Sequence, residues 1–86
     1  RKIRKDIKLQ LNMGEIGLLE VFGIAESEKA IAGIKIKDIL KSYVGIGEGF
    51  ATEILLEGNI SLKRRIKGLG YKQREYLLNH PRLTQN

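Results

Sequence analysis

Eighty-six residues carrying a net charge of +6, one histidine and no cysteine bound one small domain, whose folding buries only about 60–65% of its unfolded surface. Disulfides and thiolate metal sites are excluded, and His80 alone cannot assemble a zinc site with scattered carboxylates. The longest apolar run, Ile16 to Ala25, is broken by Glu20 and falls short of the ~20 residues a membrane span requires.

In chain order, the first expected element is a helix from Arg1 to Asn12, where Ile3, Ile7 and Leu11 form one apolar stripe on an otherwise basic cylinder. The chain opens on Arg1 with neither an initiator methionine nor the pattern of a signal peptide, so the amino terminus is expected to be incomplete. Met13-Gly14 interrupts the pattern and marks an end. Glu15 to about Gly23 reads as a second helix with Ile16, Leu19 and Phe22 on one side and Glu15 near the positive end of its dipole. Glu26 to Ile31 reads as a short helical turn. Ile36, Ile39, Leu40 and Tyr43 follow the i, i+3, i+4, i+7 spacing of an amphipathic helix. Gly45 and Gly47 force a break, Glu48 to Glu57 resumes with Phe50, Ala51, Ile54 and Leu55 on one side, and Gly58-Asn59 ends that helix with a pair suited to left-handed backbone. Ile60 to Gly70 is a compact double turn, Tyr71 to Asn79 a final helix stopped by Pro81, and Thr84-Gln85-Asn86 a frayed tail. No sustained period-two alternation occurs. The predicted class is all-α with five or six short helices, organised as a basic amphipathic helix at 1–14 and a helical domain at 15–86.

The charge is segregated. Residues 1–12 hold Arg1, Lys2, Arg4, Lys5 and Lys8 against Asp6, a local charge of +4, and residues 63–74 hold Lys63, Arg64, Arg65, Lys67, Lys72 and Arg74 with no acid, +6. Between them, residues 13–59 sum to −4. Two basic lobes on an acidic middle are the electrostatic footprint of a nucleic-acid binder. In the second lobe Arg64 and Arg65 offer planar forks for bidentate phosphate contacts and Lys67 a mobile point charge. Gly68 and Gly70 keep the backbone low, and Lys72, Gln73 and Arg74 continue the surface onto the next helix. The other reading of this segment is a solubilising turn with Leu62, Ile66 and Leu69 facing inward. At Val44-Gly45-Ile46-Gly47, glycines without Cβ atoms let successive N–H groups converge on an anion ahead of a helix N-terminus. The same spacing also fits a tight turn whose Val44 and Ile46 plug the core.

Ile36-Lys37-Asp38-Ile39-Leu40, Val44-Gly45-Ile46-Gly47, Ala51-Thr52-Glu53-Ile54 and, most specifically, Arg64-Arg65-Ile66-Lys67-Gly68-Leu69-Gly70-Tyr71-Lys72-Gln73-Arg74 resemble the actinobacterial integration host factor family. The resemblance implies a helix-two-turns-helix motif at about 36–79 and a nucleoid-associated protein that bends or compacts double-stranded DNA. It further implies phosphate contacts from Arg64, Arg65 and Lys67, backbone contacts around Gly45 and Gly47, and a second surface on the basic first helix. Two departures stand out. The family often has proline at the position of Val44 and a lysine just after the second glycine, where this chain has Glu48-Gly49; an acid there weakens a phosphate contact. Two basic faces on one small domain would let it join separate duplexes or hold a bend.

The expected protein is thus a cytoplasmic, nucleoid-located monomer that binds duplex DNA without cofactor, metal, membrane or small-molecule substrate, and without catalysis. The main alternative is an RNA-binding or ribosome-associated protein, since phosphate cradles and basic turns also serve A-form helices. A glycosylase built on this motif needs a nucleophilic amine beside a carboxylate in a pocket, and no convincing pair is present. A membrane-surface role would use Ile3, Ile7 and Leu11 of the basic first helix.

Overall fold

The computed structural model describes residues 2–83, so the expectations for Arg1 and for the tail Thr84-Gln85-Asn86 lie outside the described residues. Six helices form: α1 Lys2–Asn12, α2 Leu18–Ala25, α3 Lys29–Ala32, α4 Ile36–Lys41, α5 Glu48–Glu57 and α6 Tyr71–Leu78, with a 3-10 turn at Ile66–Gly68 between the last two. The chain is all-α.

Local chemistry sets most of the ends. Helix α1 stops where Gly14 takes a left-handed φ of 75°, which lets the Gly14 and Glu15 amides return to the Leu11 and Gln10 carbonyls. Helix α2 starts three residues later than expected. Extended Gly17 precedes it, and the Gly17 N–H donates to Glu20 Oε1 at 2.9 Å, so Glu20 and not Glu15 is the first-turn acid. The short α3 begins after Glu28 rather than at Glu26. Helix α5 has the expected bounds, and the left-handed residue beyond it is Asn59, with φ 56°. Helix α6 ends one residue early, with Asn79 as its cap.

One core joins all of these elements. Ile36, Ile39 and Leu40 from α4 and Ala51, Ile54 and Leu55 from α5 are buried, together with Leu18, Val21 and Phe22 of α2 and Ile31 of α3. Helix α1 contributes Ile7 and Leu11, whereas Ile3 stays 43% exposed, so the predicted stripe is buried over its later turns only. Beyond α5, Ile60, Ile66, Leu69 and Leu77 point inward and fold the double turn down onto the core. Ile34 to Ile36 and Arg64 to Ile66 lie antiparallel: the Ile36 amide donates to Arg64 O at 2.9 Å and the Ile66 amide to Ile34 O at 3.0 Å. This short pairing fixes the basic turn against the junction of α3 and α4. Among the described residues no helix is long and apolar enough to cross a membrane.

Candidate nucleic-acid interface

The basic double turn is a scaffold of inward apolar residues with cations between them. Ile66 and Leu69 are buried, while Lys63, Arg64, Arg65, Lys67 and Lys72 are exposed. The inward-facing residues and the exposed cations therefore occur in the same turn, on opposite sides of its backbone. Arg64 folds back along the turn, donating to Gly68 O at 3.1 Å, and its Cδ lies 3.1 Å from where a Cβ on Gly68 would stand. Gly68 thus leaves room for the Arg64 stem. Gly70 is the extended residue that precedes α6, and its N–H donates to Gln73 Oε1 at 3.0 Å. The amide of Gln73 donates in turn to Asn59 O at 3.3 Å.

Arg74 belongs to the scaffold. Its guanidinium is half-buried and donates to Ile66 O at 3.3 Å and to Leu69 O at 3.4 Å, with its carbon 5.1 Å from the centre of the Phe22 ring. These contacts hold the two carbonyls of the 3-10 turn and its exit, so Gln73 and Arg74 shape the turn whose outer side carries the other cations.

The two basic lobes of the sequence meet at α3. Arg4 of α1 donates from Nε to Ala30 O at 2.8 Å, and its Nη2 lies 3.2 Å from the position of a Cβ on Gly33. Arg65 donates from Nη1 to Gly33 O at 2.5 Å. Both guanidinium groups therefore gather on the carbonyl end of one short helix, where exposed oxygens favour cations. Each retains further N–H donors, since an arginine has five. Lys2 and Lys5 are exposed and Lys8 is half-buried on the same α1.

At the hairpin, Gly45 has φ 85°, a backbone that disfavours any side chain. Gly47 is the extended residue preceding α5. Ile46 is buried at 4% exposure, but Val44 is 69% exposed, so only one of the two apolar residues plugs the core. Glu48, the acid beside the hairpin, binds Lys37 at 2.5 Å and Lys41 at 2.9 Å. Its hydrogen bonds to Lys37 and then Lys41, with the charges of both, hold its carboxyl down at about 2 from an ordinary 4.5, and the same contact raises the Lys41 ammonium. The two lysines thereby offset the acid. Sequence reasoning missed this trio, although Lys37 and Lys41 stand four apart, one turn above the other on α4. It also missed Arg82, whose Nη2 lies 2.9 Å from the position of a Cβ on Gly45 and whose guanidinium sits 5.2 Å from the centre of the Phe50 ring. Among the described residues no group of three His, Cys, Asp or Glu side chains could hold a metal ion.

A family model described as an S13-like H2TH domain matches residues 11–80, which span the hairpin, the basic turn and both flanking helices. The chain is 35% identical over 78 residues to the integration host factor of Mycobacterium tuberculosis, an alignment that covers 91% of this chain and 74% of the relative. This chain belongs to the actinobacterial integration host factor family. Its similarity to the integration host factor of Mycolicibacterium smegmatis is 33% over 78 residues, covering 91% of this chain and 74% of the relative. That of Streptomyces coelicolor is 32% identical over 73 residues, covering 85% and 68%. Among solved structures, one titled "Structure of sIHF bound to an 8bp palindromic DNA" superposes with a TM-score of 0.87 at 31% identity, covering 90% of this chain and 86% of that one. The integration host factor resemblance drawn from the Arg64–Arg74 run thus extends over nearly the whole chain.

Proposed function

We propose that this protein binds double-stranded DNA through its phosphate backbone, with little sequence preference, and bends or compacts it in the nucleoid as a non-catalytic monomer without cofactor. The observation that carries this reading is the basic double turn, in which Lys63, Arg64, Arg65 and Lys67 stand exposed on a backbone anchored by buried Ile66 and Leu69. Cations on a fixed backbone meet phosphates without reordering the chain, which lowers the entropic cost of binding. The DNA-bound structural neighbour supports the same reading.

In this proposal Arg64, Arg65, Lys63, Lys67 and Lys72 contact phosphates, Gly45 and Gly47 present backbone amides, Gly70 lets the duplex approach, and Gly68 makes room for the Arg64 stem. Gln73 and Arg74 hold the turn in shape. Arg4 ties the first helix to the same region, and Lys2, Lys5 and Lys8 extend the surface along it. Phosphate contacts fix position without reading bases, so any preference arises from how readily a site deforms.

The test is affinity for a random duplex, a single strand and an RNA stem across a salt series, for wild type and for Arg64→Ala/Arg65→Ala. Duplex DNA is expected to bind tightest, log K to fall with log salt by about 0.9 per neutralised phosphate, and the double variant to flatten that slope by roughly two units. Tighter binding to the RNA stem would overturn the chromosomal reading, and an unchanged slope would overturn the surface.

A further inference from the structure

We infer that Arg82 is a further phosphate-contacting residue, one that gives the Gly45–Gly47 hairpin a cation of its own; this rests on the DNA-binding reading above. Five arginines fall among the described residues. Arg4, Arg64, Arg65 and Arg74 each donate to a main-chain carbonyl. The Arg82 guanidinium has no acceptor and no carboxylate partner among the described residues. Its carbon lies 5.2 Å from the centre of the Phe50 ring, and its Nη2 rests against Gly45, 2.9 Å from where a Cβ would stand. An arginine held by an aromatic ring keeps its N–H donors for a ligand.

The segment that carries Arg82 is built to hold it there. Beyond α6 the chain turns at His80 to Leu83: the Arg82 N–H donates to His80 Nδ1 at 3.2 Å, the Leu83 N–H to His80 O at 2.9 Å, and Leu83 is buried at 4% exposure. Buried Leu83 anchors the end of this turn and leaves Arg82 on the outside of it.

Electrostatics supply the reason for an anion. Phe50 lies in the first turn of α5, so the guanidinium stands beside the positive end of that helix, an arrangement that is unfavourable until a negative group joins it. The hairpin acid does not serve, because Glu48 is held by Lys37 and Lys41, and Glu15 and Glu20, which line the same cleft as Arg82, make no ion pair with it. A backbone phosphodiester placed between the Arg82 edge and the hairpin amides would complement both.

The experiment measures salt-dependent affinity for a short random duplex with wild type, Arg82→Ala, Arg82→Lys and Arg64→Ala/Arg65→Ala, and follows the backbone amide shifts of Gly45 and Gly47 in the wild-type chain as duplex is added. Arg82→Ala is expected to flatten the salt slope by about 0.9 and Arg82→Lys to retain it, with both glycine amides shifting on saturation. An Arg82→Ala slope equal to wild type while the double variant flattens, or hairpin amides that stay still at saturation, would overturn the inference and leave the general reading intact. A slope that neither variant alters would overturn both. Still hairpin amides in the wild-type chain would overturn the inference without any substitution, so it stays open to refutation even if a variant folds poorly.

Discussion

Tyr76 occupies the space beside Gly58 that any other residue there would need. Its Cε2 lies 2.3 Å from the position of a Cβ on Gly58, and its hydroxyl donates to Ile54 O at 2.6 Å. Gly58 caps α5 and Tyr76 is on α6, so the two helices that flank the basic turn touch through an absent side chain. The ring is tethered by its hydroxyl and cannot swing aside at little cost. Gly58→Ala is therefore expected to destabilise by about 1–3 kcal/mol through overpacking, a fall in Tm of roughly 4–8 °C per kcal/mol for a domain of this size. Thermal denaturation followed by circular dichroism checks this, and a melting point equal to wild type would show that the ring yields.

Arg74 and Lys72 are neighbours in a run of cations and are expected to behave differently on substitution. Arg74→Ala removes two carbonyl contacts and a guanidinium over Phe22, for an expected loss of about 1–3 kcal/mol. Lys72 is exposed, and Lys72→Ala should change stability by less than about 0.5 kcal/mol while flattening the DNA salt slope by about 0.9. Chemical denaturation and binding titrations on both variants separate the two roles; equal stabilities would remove Arg74 from the scaffold.

Asn59 carries the left-handed conformation that turns the chain out of α5, and its carbonyl accepts from Gln73. Asn59→Ala keeps a Cβ in that backbone but loses the short polar side chain that eases it, for an expected cost of up to about 1 kcal/mol, whereas Asn59→Gly removes the Cβ altogether and should fall within about 0.5 kcal/mol of wild type. Urea unfolding of the pair tests whether conformation, rather than the asparagine side chain, is what this position demands.

Glu48 sets a pH dependence of known sign. Its folded carboxyl is lowered from 4.5 to about 2 by hydrogen bonds to Lys37 and Lys41, so the unfolded chain binds its proton more readily. The stabilisation is fully present above pH 4.5 and is lost as pH falls toward 2. Glu48→Gln should be less stable than wild type at neutral pH, with the two melting curves converging across that acid range. Because the carboxylate is exposed, added salt should shrink the difference. Curves that stay parallel from neutral pH down to pH 2 would refute the ion-pair account.

What could be read from the sequence was what depends on near neighbours in the chain. Helix α5 was legible to both ends because glycines bracket it and its apolar residues share one face. The start of α2 was not, because Glu15 and Glu20 look equally fit for a first turn until the Gly17 amide is seen to need an acceptor. Tyr43 extends the spacing of α4 although the helix ends at Lys41; burial raises its phenol above the ordinary value, so the side chain follows the stripe where the backbone does not. Charge runs brought out the Arg64–Arg74 surface but could not divide it, since Arg74 turns inward through carbonyls several residues back in the chain. The meeting of Arg4 and Arg65 at α3 was out of reach, because Arg65 reaches a carbonyl 32 residues away in the chain. Arg82 stood alone after Pro81, outside any cluster that composition could detect.

The antiparallel pairing of Ile34–Ile36 with Arg64–Ile66 also has a bearing on how the chain folds. Its two segments are far apart in sequence, so the basic turn takes its shape only after a long loop has closed, a step slower than the growth of any single helix. A chain with formed helices but an open pairing would carry the same cations without their arrangement. DNA that prefers the arranged form would bind the native state over such intermediates and raise its stability by mass action.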